Sequence, residues 1–429
     1  MNAFLLAGGK RLLGEIDVAG SKNTALAVLS TVVLTEGTTI LHNVPDVSDT
    51  RIKTLLLERF GAKVQWREGS LIIDCSDCRM GEVDEEMVRS IRTSFYLLGP
   101  LLARTGEVTL PAPGGCKIGA RPVDFHLKGL RAMGAEIDLS AGVYHVKAKE
   151  LQGCEIYLDF PSAGTTQHLM ATATLAKGIT VIRNAAMEPE VVFLAAFLNR
   201  MGARIEGAGT STVTINGVRE LAGAEFRIPA DRMQAGTYML AGVITGGDVT
   251  VRGILPEDQS ALVSKLREAG AQIEEGADWI RTWSDKRLRG IRVKTMPHPG
   301  FPTDMQQPMA AVLSLAEGVS MVEETVYESR IGHIQELNRM GAAIRVEGRT
   351  SIISGVDSLK GSTVEASDLR AGAALVLAGL AAEGETVVKN IHWIDRGYEK
   401  LEENVRRLGG TIERINTQEL DPRASEIEA

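Results

Sequence analysis

LNRMGARI at residues 198–205 and LNRMGAAI at residues 337–344 are nearly the same octapeptide. Four other stretches share its ending: LLERFGAKV (56–64), LRAMGAEI (130–137), LREAGAQI (266–273) and VRRLGGTI (405–412). Their glycines, Gly61, Gly134, Gly202, Gly270, Gly341 and Gly409, follow one another at 73, 68, 68, 71 and 68 residues. Chance does not hold such a register over six copies, so the chain reads as a sixfold repeat. Each ending predicts an amphipathic helix stopped by glycine, then a strand. A second marker lies upstream in every copy: TEGTTIL, RTGEVTL, AKGITVI, TGGDVTV, AEGVSMV and AEGETVV. It reads as a helix end, a glycine and a β-branched strand, preceded by an alanine- and leucine-rich helix. The expected unit is strand–helix–strand–helix–strand of about 70 residues, too long for common solenoid repeats. Six units divide into two groups of three. The strands expected near residues 3–18 precede the first unit and would complete the last group. The expected domains are therefore 20–229, and 1–19 plus 230–415. Residues 416–429 read as a charged, disordered tail.

The chain has 429 residues, 44% of them apolar and 24% charged, with a formal net charge of −8. That composition fits a globular protein and argues against a general nucleic-acid binder, while leaving room for local anion sites. The longest apolar run, AGAALVLAGLAA (371–382), is too short to span a membrane. The N-terminus lacks the basic region of a secretory signal. Four cysteines make no disulfide framework, so the expectation is a reduced, cytoplasmic protein.

The starts of the six upstream helices, AGSKNTAL, VRSIRTSF, FPSAGTTQ, PADRMQAG, FPTDMQQP and EASDLRAG, each carry Ser, Asp or Thr where an N-cap belongs. Free backbone N–H groups there favour anions. Lys22, Arg92, Arg232 and Arg370 also stand at these starts. A cation at a helix N-terminus opposes the dipole unless an anion offsets it.

Other motifs carry less. DCSDC (74–78) is a C-x-x-C without two further zinc ligands nearby. GSKNT lacks the phosphate-loop spacing, and AGGKRLLG is a poor dinucleotide fingerprint. Cys154 reads as a buried small hydrophobe. Six of the seven histidines show no partner pattern.

PAPGGCKIGARPVDFHL (111–127) is different. The second copy runs 28 residues from Gly106 to Gly134, against 23 to 25 in its siblings, and the excess falls in this loop. Its prolines and glycines suggest a mobile flap. Lys117 and Arg121 flank Cys116 and favour its thiolate.

Together with SKNTALA, GFPTDMQ, ESRIGHIQELNRMGA, ASDLRAGAALVLAGL and IDRGYEKLE, this loop resembles the enolpyruvyl transferase family, in the branch that acts on UDP-N-acetylglucosamine. The likeness runs from about residue 4 to about 415. It implies an α/β fold, a two-domain inside-out α/β barrel with three repeats per domain. It implies transfer of enolpyruvate from phosphoenolpyruvate to the sugar 3′-hydroxyl with loss of phosphate, the first committed step of bacterial peptidoglycan synthesis. It implies no metal or organic cofactor, no nucleic acid, no membrane and no obligate protein partner. Lys22, Arg121 and Arg396 match phosphate-binding cations, and Arg330 and Arg370 those near the carboxylate. Asn23 and Asp304 match groups facing the reacting sugar. Arg92, Arg121, Pro122, Val123, Asp124, Phe125, Ser162, Gly164 and Val326 match nucleotide-sugar contacts. Cys116 matches the acid or covalent partner and the thiol alkylated by the epoxide antibiotic fosfomycin, and Asp304 a base. Ala163 departs from the family's valine.

The chemistry suits these residues. Planar guanidinium forks fit a phosphate and a carboxylate. Addition needs one proton delivered to the methylene carbon and one removed from the sugar hydroxyl. The nearest rival is the sister activity on shikimate 3-phosphate, in which no such cysteine flap is expected. A non-catalytic nucleotide-sugar-binding paralogue is disfavoured by Cys116 and Asp304 together. RNA-end chemistry is disfavoured by the lack of a basic face. With cations drawn from both halves of the chain, the two groups of repeats are expected to close on each other around the nucleotide sugar.

Overall fold

The computed structural model describes residues 2–67, 69–79, 85–114 and 122–416. The expected tail from 417 onward, and Cys116, Lys117 and Arg121, lie outside the described residues. By contact the chain divides into two units, one of residues 2–19 and 230–416, the other of residues 20–114 and 122–229.

Each unit has its own hydrophobic core. One is built from residues such as Phe4, Ile16, Leu240, Met309 and Leu377. The other is built from residues such as Val28, Leu57, Leu101, Leu169 and Phe197. At the centre of the first core the helices Arg232–Ile244, Gln306–Leu313 and Leu369–Ala381 pack on one another. In Gln306–Leu313 every residue is buried. A helix buried all round can only be an interior one, which explains the small alanine- and glycine-rich sequences here. The helices Lys22–Thr31, Leu98–Thr105 and Ala163–Ala173 are at the centre of the second unit.

Six sheets surround these helices among the described residues, five mixed sheets of four strands and one antiparallel sheet of three, and none closes into a barrel. The four-stranded sheets repeat one pairing. A short strand such as Glu155–Tyr157 runs parallel to a central strand, Ile179–Arg183. The central strand pairs antiparallel with Thr212–Asn216, which pairs antiparallel with Arg204–Glu206. Central strands alternate buried and exposed residues, so one face meets the core. The fourth strand departs from the expected three-strand unit. After the first five marker glycines the chain forms a hairpin, as in Glu136–Ser140 with Val143–Lys147, whereas the strand after Gly409 pairs with the N-terminal strand.

Two crossings tie the termini in. Leu13–Asp17, which precedes the first inner helix, pairs parallel with Asp248–Arg252. Glu225–Arg227, which precedes the fourth, pairs parallel with Thr38–His42. Asn2–Ala7 lies between Glu385–Lys389 and Thr411–Asn416. The six marker glycines all have φ between 90° and 104°, a conformation that costs other residues a Cβ clash.

Candidate active site

In the unit of residues 2–19 and 230–416, two of the inner helices and the loops beside them gather the residues that matter. Asp304 sits on the 3₁₀ turn Thr303–Met305, just before Gln306–Leu313. Arg370 is in the first turn of Leu369–Ala381. Arg330 lies just before the helix Gly332–Arg339. Arg330 Nη1 donates to Asp304 Oδ1 at 2.8 Å, while Arg370 Nε and Nη2 donate to Oδ2 at 3.2 and 3.0 Å. The side chains of Arg330 and Arg370 are 4% and 2% exposed, and Asp304 is 27% exposed. Burial alone would raise the Asp304 carboxyl, but the charges of Arg370 and Arg330 outweigh it and hold the group well below the usual carboxylate range. The anion that Arg370 needs at its helix start is thus a protein carboxylate.

The clasp is braced. Arg370 Nη1 donates to the Tyr398 hydroxyl at 3.0 Å, and that hydroxyl shares a hydrogen bond with Thr237 Oγ1. Asp368 Oδ1 accepts the Arg370 and Ala371 amides as the helix cap, and its Oδ2 accepts from Gln307 Nε2. Glu324, only 3% exposed, is a hub that sequence reasoning missed. Its Oε1 accepts from Thr295 Oγ1 and from the Val326 and Tyr327 amides, and its Oε2 accepts from Thr303 Oγ1. The same Thr303 hydroxyl accepts from Arg330 Nη1. Glu324 thereby joins the Val326 backbone to the residue preceding Asp304. Arg396 ends the 3₁₀ helix Ile391–Arg396, its guanidinium 5.4 Å from the Trp393 ring centre. The buried His333 has no hydrogen-bonding partner among the described residues for either ring nitrogen, and burial first, then Arg330, lowers it to about 4 against an opposing pull from Asp368.

In the other unit, Lys22 and Asn23 open the helix Lys22–Thr31 behind the Ser21 cap, and Lys22 Nζ donates to Asp49 Oδ2 at 3.3 Å. Arg92 opens the 3₁₀ helix Arg92–Leu97 and donates from Nη1 to the Gly114 carbonyl. Ser162 caps Ala163–Ala173, and Gly164 is in its first turn. A Cβ on Gly164 would lie 2.1 Å from the Tyr96 hydroxyl oxygen, so any larger residue there must displace the Tyr96 ring. Pro122 and Val123 lead into the helix Asp124–Ala132, whose first turn carries Asp124 and Phe125.

Behind these residues lies an unforeseen buried pair. The Gly99 amide donates to His168 Nε2 at 2.8 Å, so the His168 proton is on Nδ1 and is donated to His126 Nδ1 at 2.9 Å. Burial, then the nearby Lys53, lowers His168 to about 3.

Two sequence expectations need correction. Only four of the six inner helices begin with a side-chain cap: Ser21, Ser162, Asp231 and Asp368. Near the other two, Ser94 is committed to the Val88 and Ile91 carbonyls and Thr303 to Glu324, and a 3₁₀ turn leads each helix instead. Cys154 is half-buried rather than fully buried. Among the described residues no three His, Cys, Asp or Glu side chains converge as metal ligands, and no helix is long and apolar enough to cross a membrane.

An α/β fold of this construction is that of the enolpyruvyl transferases. The solved structure of the enolpyruvyl transferase NikO from Streptomyces tendae superposes with a TM-score of 0.88 at 26% identity, covering 96% of this chain and 99% of that one. EPSP synthase from Acinetobacter baumannii shares the fold at a TM-score of 0.77 and 21% identity, over 97% of this chain and all of that one. A sequence profile of the EPSP synthase (3-phosphoshikimate 1-carboxyvinyltransferase) family matches residues 6–405. The chain is 48% identical over 418 residues to UDP-N-acetylglucosamine 1-carboxyvinyltransferase 2 of Carboxydothermus hydrogenoformans, covering 97% of this chain and 100% of the relative. It is equally similar, 48% over 418 residues, to UDP-N-acetylglucosamine 1-carboxyvinyltransferase 1 of Symbiobacterium thermophilum, over 96% and 95% of the two chains. The chain belongs to the EPSP synthase family, and it is an enzyme.

Proposed function

We propose that this enzyme transfers enolpyruvate from phosphoenolpyruvate to the 3′-hydroxyl of UDP-N-acetylglucosamine and releases phosphate, the first committed step of peptidoglycan synthesis. The names carried by near-full-length relatives at 47–48% identity support the acceptor. The observation that carries the chemistry is Asp304 clasped between Arg330 and Arg370. As found, this carboxylate is too well stabilised to take a proton. Both arginines are also the groups read as holding the phosphoenolpyruvate carboxylate. Once that carboxylate engages them, Asp304 loses part of its stabilisation and its basicity rises. In this reading phosphoenolpyruvate switches on the base that activates the sugar hydroxyl.

The reaction then runs by addition and elimination. The sugar oxygen bonds to C2 of phosphoenolpyruvate as Asp304 accepts the hydroxyl proton and an acid, Cys116, delivers a proton to C3. The tetrahedral intermediate returns a C3 proton to the Cys116 thiolate as the C2–O bond to phosphate breaks and the double bond returns, and the departing phosphate takes the proton held by Asp304. Lys22, Arg121 and Arg396 hold the phosphate. Asn23 orients the sugar, and Arg92, Arg121, Pro122, Val123, Asp124, Phe125, Ser162, Gly164 and Val326 hold the nucleotide sugar. Glu324 positions Val326 and Thr303. The reading needs no metal, organic cofactor, nucleic acid or protein partner, and it is that of a cytoplasmic enzyme. It includes two domains of three repeats each, 20–229 and 1–19 plus 230–415, in the inside-out arrangement.

The test is phosphate release from phosphoenolpyruvate with the nucleotide sugar as acceptor, in the wild type and in Asp304→Ala. The reading requires turnover in the wild type and its loss in the variant, with nucleotide-sugar affinity largely kept. Near-normal turnover in the variant would remove Asp304 from the base role and leave Asp368, also at a helix start beside an arginine, as the next candidate.

A further inference from the structure

The C-x-x-C pair, to which sequence spacing assigned no role, is built as more than two buried thiols. Cys75 leaves the strand Ser70–Asp74, and the Cys78 amide donates to the Cys75 carbonyl at 3.2 Å, closing a tight turn. Such a turn brings its first and fourth Cα atoms within about 7 Å, the separation a disulfide spans. The Arg104 guanidinium lies against this turn. Arg104, in the last turn of Leu98–Thr105, is locked in place: Nη1 donates to the Val33 and Thr35 carbonyls at 3.0 Å each, and Nη2 to the Cys75 carbonyl at 2.9 Å. The Cys75 thiol and the Arg104 guanidinium favour the Cys78 thiolate against burial, while Cys78 and burial hold the proton on Cys75. An anionic attacking thiol beside a protonated resolving thiol is the arrangement of a redox dithiol. With no third His, Cys, Asp or Glu converging among the described residues, the pair is incomplete as a metal site.

We propose that Cys75 and Cys78 form a redox-active dithiol that small hydroperoxides convert to an intramolecular disulfide. The Cys78 thiolate attacks one peroxide oxygen, the O–O bond breaks, and a sulfenic acid forms as the other oxygen leaves and takes a proton. Cys75 sulfur then attacks Cys78 sulfur. The S–S bond forms, the S–OH bond breaks, and the hydroxyl leaves as water with the Cys75 proton. In sum two thiols and one hydrogen peroxide give a disulfide and two waters, and a dithiol reductant reverses the change. Cys75 and Cys78 are 1% and 7% exposed, so bulky alkylating reagents are excluded while the protein is folded and the oxidant must be as small as a hydroperoxide. A reversible disulfide in a protein read as cytoplasmic is the sensing or catalytic kind. Nothing in this inference depends on the transferase reading.

The test uses the full-length protein. It is exposed to hydrogen peroxide at a dose that oxidises a free-cysteine tracer, then quenched, unfolded, alkylated and digested. The peptide holding residues 75–78 is expected to weigh two hydrogens less and carry no alkyl group, with both alkylation sites restored by dithiothreitol. In Cys75→Ser, Cys78 is expected to be trapped as a sulfenic acid by dimedone. In Cys78→Ser, Cys75 is expected to stay alkylatable. Circular dichroism would establish that both variants are folded. Full alkylation of both cysteines after peroxide would overturn the proposal. So would disulfides joining either one to Cys116 or Cys154, or Cys75 being the thiol oxidised first.

Discussion

Asp304 sets one negative charge against two guanidinium groups that are almost wholly buried. Truncating it to alanine strands both cations, and breaking a buried pair in that way typically costs about 3–5 kcal/mol. Asp304→Asn is therefore the cleaner test of chemistry. It keeps the side chain's size and an acceptor for one arginine, turns an amide N–H2 towards the other, and removes the charge and the basicity. Turnover is expected to fall by about 10²- to 10⁴-fold, the usual worth of an acid–base group, with the nucleotide-sugar dissociation constant little changed. Single-turnover kinetics with calorimetric binding would separate the two effects, and a parallel loss of both would make Asp304 a binding residue. Cys116 carries a matching expectation. Fosfomycin should place its adduct on residue 116, and peptide mapping that finds it on Cys75, Cys78 or Cys154 would count against the assignment. At this scale the sequence was informative wherever a motif had local company. Asp304 stands in GFPTDMQ and Arg370 in ASDLRAG, whereas Glu324 works through acceptor geometry drawn from Thr295 and Thr303, which no spacing in EETVYES reveals.

The helices Leu98–Thr105 and Ala163–Ala173 meet where Gly99 has no side chain, and a Cβ there would lie 1.9 Å from Thr172 Oγ1 and 2.6 Å from His168 Nε2. Gly99→Ala must push the helices apart, at about 1–3 kcal/mol, the typical cost of overpacking. Denaturant titration should show it as a lower midpoint, and an unchanged midpoint would mean the contact is softer than it looks. The histidine pair beside it makes stability depend on pH. His168 and His333 are lowered to about 3 and about 4. The unfolded chain takes up their protons below about pH 6.5 while the folded protein refuses them, so stability falls as pH drops from about 6.5 towards 4 and 3. Each histidine should cost roughly 2 kcal/mol by pH 5. In His168→Gln the amide can accept from Gly99 and donate to His126, so its melting temperature should fall less steeply between pH 7 and 5 than that of the wild type. Equal slopes would remove His168 as a source. The marker glycines announced the ends of the outer helices because φ near 90° excludes other residues at little cost in ambiguity. The hairpin strands escaped notice because three to five residues beside a tight turn resemble a loop. The His126–His168 contact escaped because its partners are 42 residues apart.

At the scale of the whole chain, a matched set of sheets and two independent cores present residues that by themselves only say anion binding: lysine and arginines at helix starts, one clasped carboxylate, one thiol in a glycine-rich loop. The crossings of Leu13–Asp17 and Glu225–Arg227 into parallel pairs were not legible, since parallel pairing leaves no mark on neighbouring sequence. What distinguishes this enzyme from its sister activity is the acceptor. Phosphorus NMR of the wild-type protein with phosphoenolpyruvate and either acceptor reads that choice directly. With UDP-N-acetylglucosamine, the phosphoenolpyruvate resonance should give way to inorganic phosphate while the diphosphate signals of the nucleotide sugar persist in a new product, and with shikimate 3-phosphate nothing should change. Phosphate released with shikimate 3-phosphate, and none with the nucleotide sugar, would contradict the account.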